Sequence, residues 1–383
     1  MRGPFTILHV SQPTDGGVAG YVADAVADQV RRGWRVIVAS PAHGNIGKRI
    51  EAAGAEHLDW TAGRAPGPSS LLDATRLARI ITREDPMLVH LHSSKAGLAG
   101  RLAVRGRRPT IFQPHAWSFE AVRGPVRTGA LAWERRAARW AAVILCVSET
   151  ERARGEEHGV RATWRVIPNG VELEAWTEAS GEERSAARRR LELDERPTVV
   201  CVGRLCRQKG QDILLKAWPA IVSGVPEARL VLVGDGPDAK SLRHRAGEGV
   251  RLVGERADVG DWLAAADVVA VPSRWEGMSI GMLEAMARGR SVVASDVPGA
   301  QEALGREAGE VVPSEDAFAL ANAIVTRLRD PAQAAAEGRA ARESAERSHD
   351  LRATTAALAE LYEELLGTAV PTAPSSSRGR TTP

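Results

Sequence analysis

The feature that most constrains the fold is an alternation that runs nearly the whole length of the chain. Short runs of Val, Ile and Leu end in glycine-rich or polar turns, and helical periodicity follows each one. Phe5–Val10 reads as a buried strand, and it enters the turn Pro13-Thr14-Asp15-Gly16-Gly17. Tyr21, Val22, Ala25, Val26 and Val30 then mark one helix face, and Arg35–Ser40 is a second strand. Strand, helix, strand at this spacing is a parallel unit, because only a crossover helix returns the chain to start a parallel neighbour. The pattern continues with a helix over Leu71–Thr82, a strand over Pro86–His92, a loop at Ser93–Gly97 and a helix over 98–104. Next come a strand at Thr110–Gln113, a turn at Pro114-His115-Ala116-Trp117, a helix over Leu131–Trp140, and strands over Ala142–Val147 and 164–167.

The charged segment Glu172–Arg196 interrupts the alternation and reads as the link between domains. Strands then resume at Pro197–Val202, Arg229–Val233, Val250–Val253, Asp267–Val271 and Ser291–Ser295. A chain of 383 residues is too long for one ordinary domain and suits two. The expectation is therefore an α/β fold of two doubly wound, Rossmann-like parallel-sheet domains facing a cleft. Residues 1–175 form the first domain and 176–350 the second. Helices over Asp316–Leu328 and about Leu351–Leu366 end the ordered part, and the latter packs back on the first domain. The Pro-, Ser-, Thr- and Arg-rich stretch 371–383 is expected to be disordered.

Hydrophobic content of 44% and charged content of 26% are those of a soluble globular protein. No apolar run reaches the ~18 residues of a membrane span. The first residues lack the apolar core and cleavage site of a signal peptide, so the expected location is the cytoplasm. Cys146, Cys201 and Cys206 form no C-x-x-C pair and read as buried reduced thiols. The net charge of +3 is unevenly spread. Residues 1–170 hold 24 Lys and Arg against 15 Asp and Glu, with nine arginines between Arg101 and Arg139. That excess is either a solvated face or an attraction to an anionic membrane or a phosphorylated acceptor. No nucleic-acid reader motif accompanies it.

The chemistry-bearing stretch is Arg274–Gly289, RWEGMSIGMLEAMARG. Ser279 is placed as a helix N-cap and Gly289 as the C-terminal glycine. The free amides of Ile280, Gly281 and Met282 then form an anion site. Glu276 precedes that site in the loop, and Glu284 lies one turn inside the helix. Arg204 and Lys209 follow the first strand of the second domain, on the same sheet edge. Each alone reads as a surface charge, but together with the helix start they form a two-sided phosphate clamp. Glu284 stands among Leu283, Ala285 and Met286, a poor place for an idle charge. The Gly16-Gly17 turn lets backbone approach a ligand or serves as a simple tight turn. Its G-G-x-x-G spacing is not the dinucleotide fingerprint.

These motifs resemble the retaining glycosyltransferases of family 4, enzymes of the GT-B fold, across nearly the whole chain. The resemblance rests on Gly16-Gly17, the His115 loop, Asn169-Gly170-Val171, V-G-R-L-x3-K-G at Val202–Gly210, V-G-D-G-P at Val233–Pro237, and E-G-M-S-I-G-M-L-E-A-M-A at Glu276–Ala287. It implies that Arg204 and Lys209 bind the diphosphate of a nucleotide-sugar donor with amides near Ile280 and Gly281. Glu284 holds the ribose, Glu276 contacts the transferred sugar, and His115 lies at the reaction centre. Gly17 approaches from the first domain, and the base stacks near Val253, Gly254 and Arg256. Ser279 stands where glycine is common, and Trp275, after Arg274, where a smaller or tyrosine-type residue is usual. The resemblance further implies a hexosyl group moved with retention, with no metal and no cofactor beyond the donor. Uridine is the default base, with guanosine the alternative. The His92–Gly97 and Gln113–Phe119 loops look similar to those of enzymes that extend lipid-linked saccharides for cell-surface polysaccharide. That implies a polyprenyl-diphosphate-linked or other saccharide acceptor, and a peripheral membrane location through Arg101–Arg139.

Three other readings are open to the same residues. A nucleotide-sugar epimerase of the same fold would need no acceptor. A non-catalytic sugar-nucleotide-binding protein would have little use for Arg204, Lys209, Glu276, Glu284 and His115 together. A dinucleotide oxidoreductase lacks its G-x-G-x-x-G turn.

Overall fold

The structure, a computed structural model, describes residues 5–63 and 69–369. Two parallel sheets organise it. The first contains β1 (Thr6–Ser11), β2 (Arg35–Ser40), β3 (Glu56–Asp59), β4 (Leu88–His92), β5 (Thr110–Gln113), β6 (Val143–Cys146) and β7 (Trp164–Val166), in the order 3-2-1-4-5-6-7. The second contains β8 (Thr198–Val202), β9 (Arg229–Val233), β10 (Val250–Gly254), β11 (Val268–Val271), β12 (Ser291–Ser295) and β13 (Gly309–Val312), in the order 10-9-8-11-12-13. Helices cover both faces, which is why β4, β5, β6, β9 and β12 are buried along their whole length. The strand order reverses between β1 and β4 and between β8 and β11. In doubly wound sheets these are the points where ligands bind beyond the carboxyl ends of the strands. Two Rossmann-like sheets facing one cleft are the GT-B fold.

Each sheet has its own core. Leu8, Ile37, Leu91, Phe112 and Trp117 belong to the first, and Val200, Val231, Val269, Met286 and Val292 to the second. The helix Leu351–Ala369 returns to the first sheet, where Leu358, Leu361 and Tyr362 pack with Ile7, Tyr21 and Leu88. A backbone bridge between Val171 and Asp350 joins the two crossings between the halves.

Several details differ from the sequence reading. The helix placed at 98–104 begins at Ser93, so the Ser93–Gly97 loop is its first turn. The small residues Ala96, Gly97 and Gly100 obscure its apolar face. A Cβ on Gly97 or Gly100 would meet Phe112 or Leu91 at 2.2 Å. The link Glu172–Arg196 contains a helix, Gly181–Arg190, whose Ala187 joins the core of the second domain. The strand Glu56–Asp59 and the helix Pro331–Ser348 carried no apolar signal and were missed. Arg101 is not part of a basic surface. It is fully buried, bonded to Glu134 at 2.7 Å and stacked 3.8 Å from the Phe112 ring. Cys146 and Cys201 are buried, while Cys206 is half-buried, and all three are free thiols. The stretch 371–383, expected to be disordered, lies outside the described residues.

Candidate active site

A cleft of about 990 Å³ lies between the two sheets. Gly17, His115, Arg204, Lys209, Glu276, Ile280, Gly281 and Glu284 all line it. Val253, Gly254 and Arg256 do not. They sit on and after the edge strand β10, and Arg256 is spent on Asp258. The family resemblance alone implied a base site there. Pro237 and Asp238, from the turn after β9, do line the cleft on this side.

The anion site is the N-terminus of the helix Ile280–Ala287. Ser279 occupies the N-cap position, but its side chain makes no capping hydrogen bond, contrary to the role expected for it. The first intrahelical backbone bond is Leu283 N–H to Ser279 O at 3.2 Å. The amides of Ile280, Gly281 and Met282 are thus the orphan donors of a helix start, with its positive dipole end toward the cleft. Glycines let the surrounding loops come close. A Cβ on Gly210, whose φ is +69°, would lie 1.9 Å from Pro272 O, so only glycine brings Lys209 against the end of β11. A Cβ on Gly277 would meet Val147 at 2.7 Å and Glu151 at 2.9 Å across the domain boundary.

Lys209 and Glu276 form an ion pair, and Ser273 Oγ donates to the same Glu276 oxygen at 3.0 Å. Burial works against the Lys209 charge. The charge of Glu276 and its hydrogen bond outweigh that and hold the ammonium above its ordinary range. Arg204 is exposed in the cleft and makes no ion pair among the described residues. Burial pushes the Glu284 carboxyl up to about 7, against the pull of Lys209 and with a contribution from Asp24. It meets no cation closely enough to form a salt bridge among the described residues. Arg274 does not line the cleft. It pairs with Asp212 at 2.7 and 2.9 Å and with Glu315 at 2.7 Å, which holds the loop and leaves Trp275 lining the cleft.

From the first domain comes the turn after β5. His115 and Ala116 have φ of +55° and +115°, a backbone that non-glycine residues adopt only when held. Glu151 holds it. The carboxylate accepts from Ala116 N–H at 2.7 Å and from Val147 N–H at 2.8 Å, and the Glu151 carbonyl accepts from Trp117 Nε1 at 2.7 Å. Burial of this carboxyl pushes it up to about 7, while the two backbone bonds pull it down. The sequence reading missed Glu151, which lies far from His115 in the chain and carries no motif of its own. Lys95, in the His92–Gly97 stretch, turns inward and pairs with buried Asp73 at 2.8 Å. His115 itself is pushed down to about 3 by burial and is a neutral imidazole. Asn169 Nδ2 donates to Met278 O at 2.9 Å, and Ser148 Oγ to Gly277 O at 3.2 Å, so the first half grips the loop that carries Glu276.

This arrangement can bind a diphosphate between two cations and a helix start, flanked by one carboxylate on each side. Comparison with known proteins gives the family and the fold. The family described as "Glycosyltransferase Family 4" matches residues 15–175, and "Glycosyl transferases group 1" matches residues 196–330. A GDP-mannose-dependent alpha-(1-6)-phosphatidylinositol monomannoside mannosyltransferase of Mycolicibacterium smegmatis is 33% identical over 377 residues, covering 91% of this chain and 95% of its own. A GDP-mannose-dependent monoacylated alpha-(1-6)-phosphatidylinositol monomannoside mannosyltransferase of Corynebacterium glutamicum is 36% identical over 197 residues, and the match spans 48% of this chain and about half of that relative, 52%. The crystal structure of Anabaena Alr3699/HepE in complex with UDP-glucose superposes with a TM-score of 0.81 at 24% identity, covering 94% of this chain and 99% of that one, and so shares the fold. A relative matched over nine-tenths of both chains, a family match in each half and the shared fold place the chain in one family: it belongs to glycosyltransferase family 4 and is a glycosyltransferase of the GT-B fold.

Proposed function

We propose that the enzyme transfers a mannosyl group from GDP-mannose, with retention at the anomeric carbon, to a hydroxyl of a lipid-linked saccharide of the phosphatidylinositol mannoside class. The observation that carries this reading is the convergence of Arg204, Lys209 and the uncapped helix start at Ile280 on one cleft, between Glu276 and Glu284. Guanosine replaces the uridine expected from the sequence, because the relative matched along nine-tenths of this chain is GDP-mannose-dependent. In the proposed pose the diphosphate lies on the Ile280–Met282 amides, Glu284 accepts from the ribose hydroxyls, and Glu276 and His115 contact the mannose.

Breaking the anomeric C–O bond leaves negative charge on the diphosphate. Two cations and a helix dipole fixed beforehand stabilise that charge without reorganising, which is the most effective form of such catalysis. The acceptor hydroxyl attacks from the face the diphosphate is leaving, and its proton passes to the departing phosphate oxygen. Closure of two domains over the donor excludes water from the cationic sugar. The clamp supplies the counter-charge without a metal, so transfer is expected to run equally well in chelator and in magnesium. Arg105, Arg107, Arg123, Arg135, Arg136 and Arg139 remain exposed, and they are the face proposed to meet an anionic lipid surface that presents the acceptor.

A thermal-shift comparison of GDP-mannose with UDP-glucose, followed by turnover on phosphatidylinositol monomannoside, tests the reading. GDP-mannose should stabilise the protein, and the product should carry an α-mannosidic linkage by its anomeric NMR coupling. Stabilisation by UDP-glucose alone would overturn the donor assignment. Epimerised sugar nucleotide formed without acceptor would overturn transfer.

A further inference from the structure

Three histidines of the first sheet share one face. His9 on β1 pairs in register with His90 on β4, and His92 stands two residues further along the same strand. All three are fully buried. His115 Nε2 lies 3.1 Å from His92 Nδ1, His92 Nε2 lies 2.9 Å from His9 Nδ1, and His9 Nε2 lies 2.9 Å from Gln29 Oε1. The ring centroids are 5.4 and 5.2 Å apart, longer than the nitrogen separations by one ring width each. The three rings therefore run end to end, with each N–H aimed at the next lone pair. His90 lies beside this line, its ring 3.9 Å from that of His92 and its Nδ1 on the Tyr362 hydroxyl.

Burial holds His9 down to about 4, His115 to about 3, and His90 and His92 well below the ordinary range. Each ring is neutral and carries one N–H. An amide oxygen can only accept, so His9 Nε2 donates to Gln29. His9 Nδ1 then accepts from His92 Nε2, and His92 Nδ1 accepts from His115 Nε2. We propose that Gln29, acting through His9 and His92, fixes the tautomer of His115 with its proton on Nε2, so that Nδ1 is kept as the acceptor for a hydroxyl of the transferred sugar. Gln29, His9 and His92 are positioning residues. The inference rests on the reading above that His115 contacts the sugar.

Ligand nitrogens of His9, His90 and His92 also come within 4.8 Å of one another, which is a metal-like spacing. The end-to-end alignment favours the hydrogen-bonded chain. Two nitrogens on one tetrahedral ion are about 3.3 Å apart and splay from a common centre, whereas His9 and His92 face each other along one line. His90 Nε2, buried and without a hydrogen-bond partner among the described residues, is the feature a metal would account for better, so metal content is one arm of the test.

The test begins with the wild-type protein labelled with 15N-histidine. The imidazole spectrum should show His115 protonated at Nε2 with a free lone pair on Nδ1. Gln29→Met, which keeps the volume and removes the acceptor, should mix the two tautomers. It should lower kcat about tenfold, the worth of one hydrogen bond of about 1.4 kcal/mol, with KM for the donor unchanged within about twofold. Gln29→Glu, an acceptor only once ionised, should restore both the tautomer and most of kcat at pH 8. A wild-type His115 protonated at Nδ1, a Gln29→Met enzyme with unaltered tautomer and rate, or one equivalent of chelatable metal in the purified protein would each overturn the chain. His115→Ala separates the two layers. If it transfers at the wild-type rate while the tautomer is as stated, the role of His115 falls and the chain has no catalytic consequence.

Discussion

Lys209 and Glu276 act on each other before either meets a substrate. The pair lies mostly out of solvent, so removing one partner strands the other as an uncompensated charge. Lys209→Ala and Glu276→Ala should each lower kcat/KM by about 10²-fold, the typical cost of one preorganised group at a developing charge. Both variants should stay folded by circular dichroism, and the double variant should lose far less than the sum of the two. Wild-type rates in either single variant would remove that residue from the site. Glu284 gives a pH signature. Its folded carboxyl, near 7, lies above the unfolded value, so the stability linked to its protonation is present below the unfolded value and lost as pH rises through 7. In donor-free protein Glu284→Gln should therefore raise Tm by about 2–4 °C at pH 8 and little at pH 5. Donor affinity of the wild type should strengthen between pH 6 and 8, as the carboxylate forms and can accept from ribose. The glutamine variant should bind about tenfold more weakly at pH 8 and show no such rise. An identical pH profile in the two proteins would remove the ribose role from Glu284.

At the scale of elements, the site is a set of loops pressed into place by glycines. Gly210→Ala puts a Cβ into the carbonyl of Pro272 and forces a left-handed backbone on alanine. The expected cost is about 2 kcal/mol or more, read as a lowered urea midpoint, together with a donor KM raised because Lys209 shifts. A variant with both values unchanged would show that the loop does not need that close approach. The sequence carried much of this architecture. Strands such as Arg229–Val233, followed by Gly234-Asp235-Gly236, announce themselves because an apolar run has to end where a turn begins. That Arg204, Lys209, Glu276 and Glu284 meet at one cleft was also legible, since the four stand at fixed spacing in the two stretches that follow neighbouring strands. What was not legible lacked a periodic apolar face. The helix Pro331–Ser348 buries Ala334, Gly338, Ala341 and Ala345, small residues that pack closely but score as neutral. Arg101 looked like surface charge because its partner, Glu134, is 33 residues away. Glu151 and the Gln29–His9–His92 line were invisible for the same reason. Their function lies in contacts between strands and loops distant in the chain, and local composition does not encode those contacts.

For the whole molecule, the question is what keeps two separate sheets in register around one donor. A backbone bridge joins the two crossings at Val171 and Asp350, and Asn169 and Ser148 reach over to the loop of Glu276. On the outer side a further contact spans the boundary. The Glu302 carboxylate, from the short helix Ala300–Leu304, accepts from Glu149 N–H at 2.8 Å, from Thr150 N–H at 2.6 Å and from the Thr150 hydroxyl. Those amides open the helix Glu149–Glu157, so one domain caps a helix of the other with a full negative charge at its positive end. The helix does not depend on this contact to form, because Ser148 Oγ already accepts from Glu151 N–H at 3.0 Å. Removing the carboxylate should therefore weaken the grip between domains and leave each domain intact. Glu302→Gln keeps the size, removes the charge and should cost about 1 kcal/mol, the worth of one exposed cap. Because the same helix carries Glu151, which holds the His115 turn, a looser boundary should also let water reach the bound donor. The expected outcome is a larger radius of gyration by small-angle scattering without ligand, a raised donor KM, and faster hydrolysis of the donor in the absence of acceptor. High salt should reproduce part of this in the wild type and little of it in the variant, since the contact is exposed and electrostatic. An unchanged hydrolysis-to-transfer ratio would show that the domains hold together without the Glu302 contact.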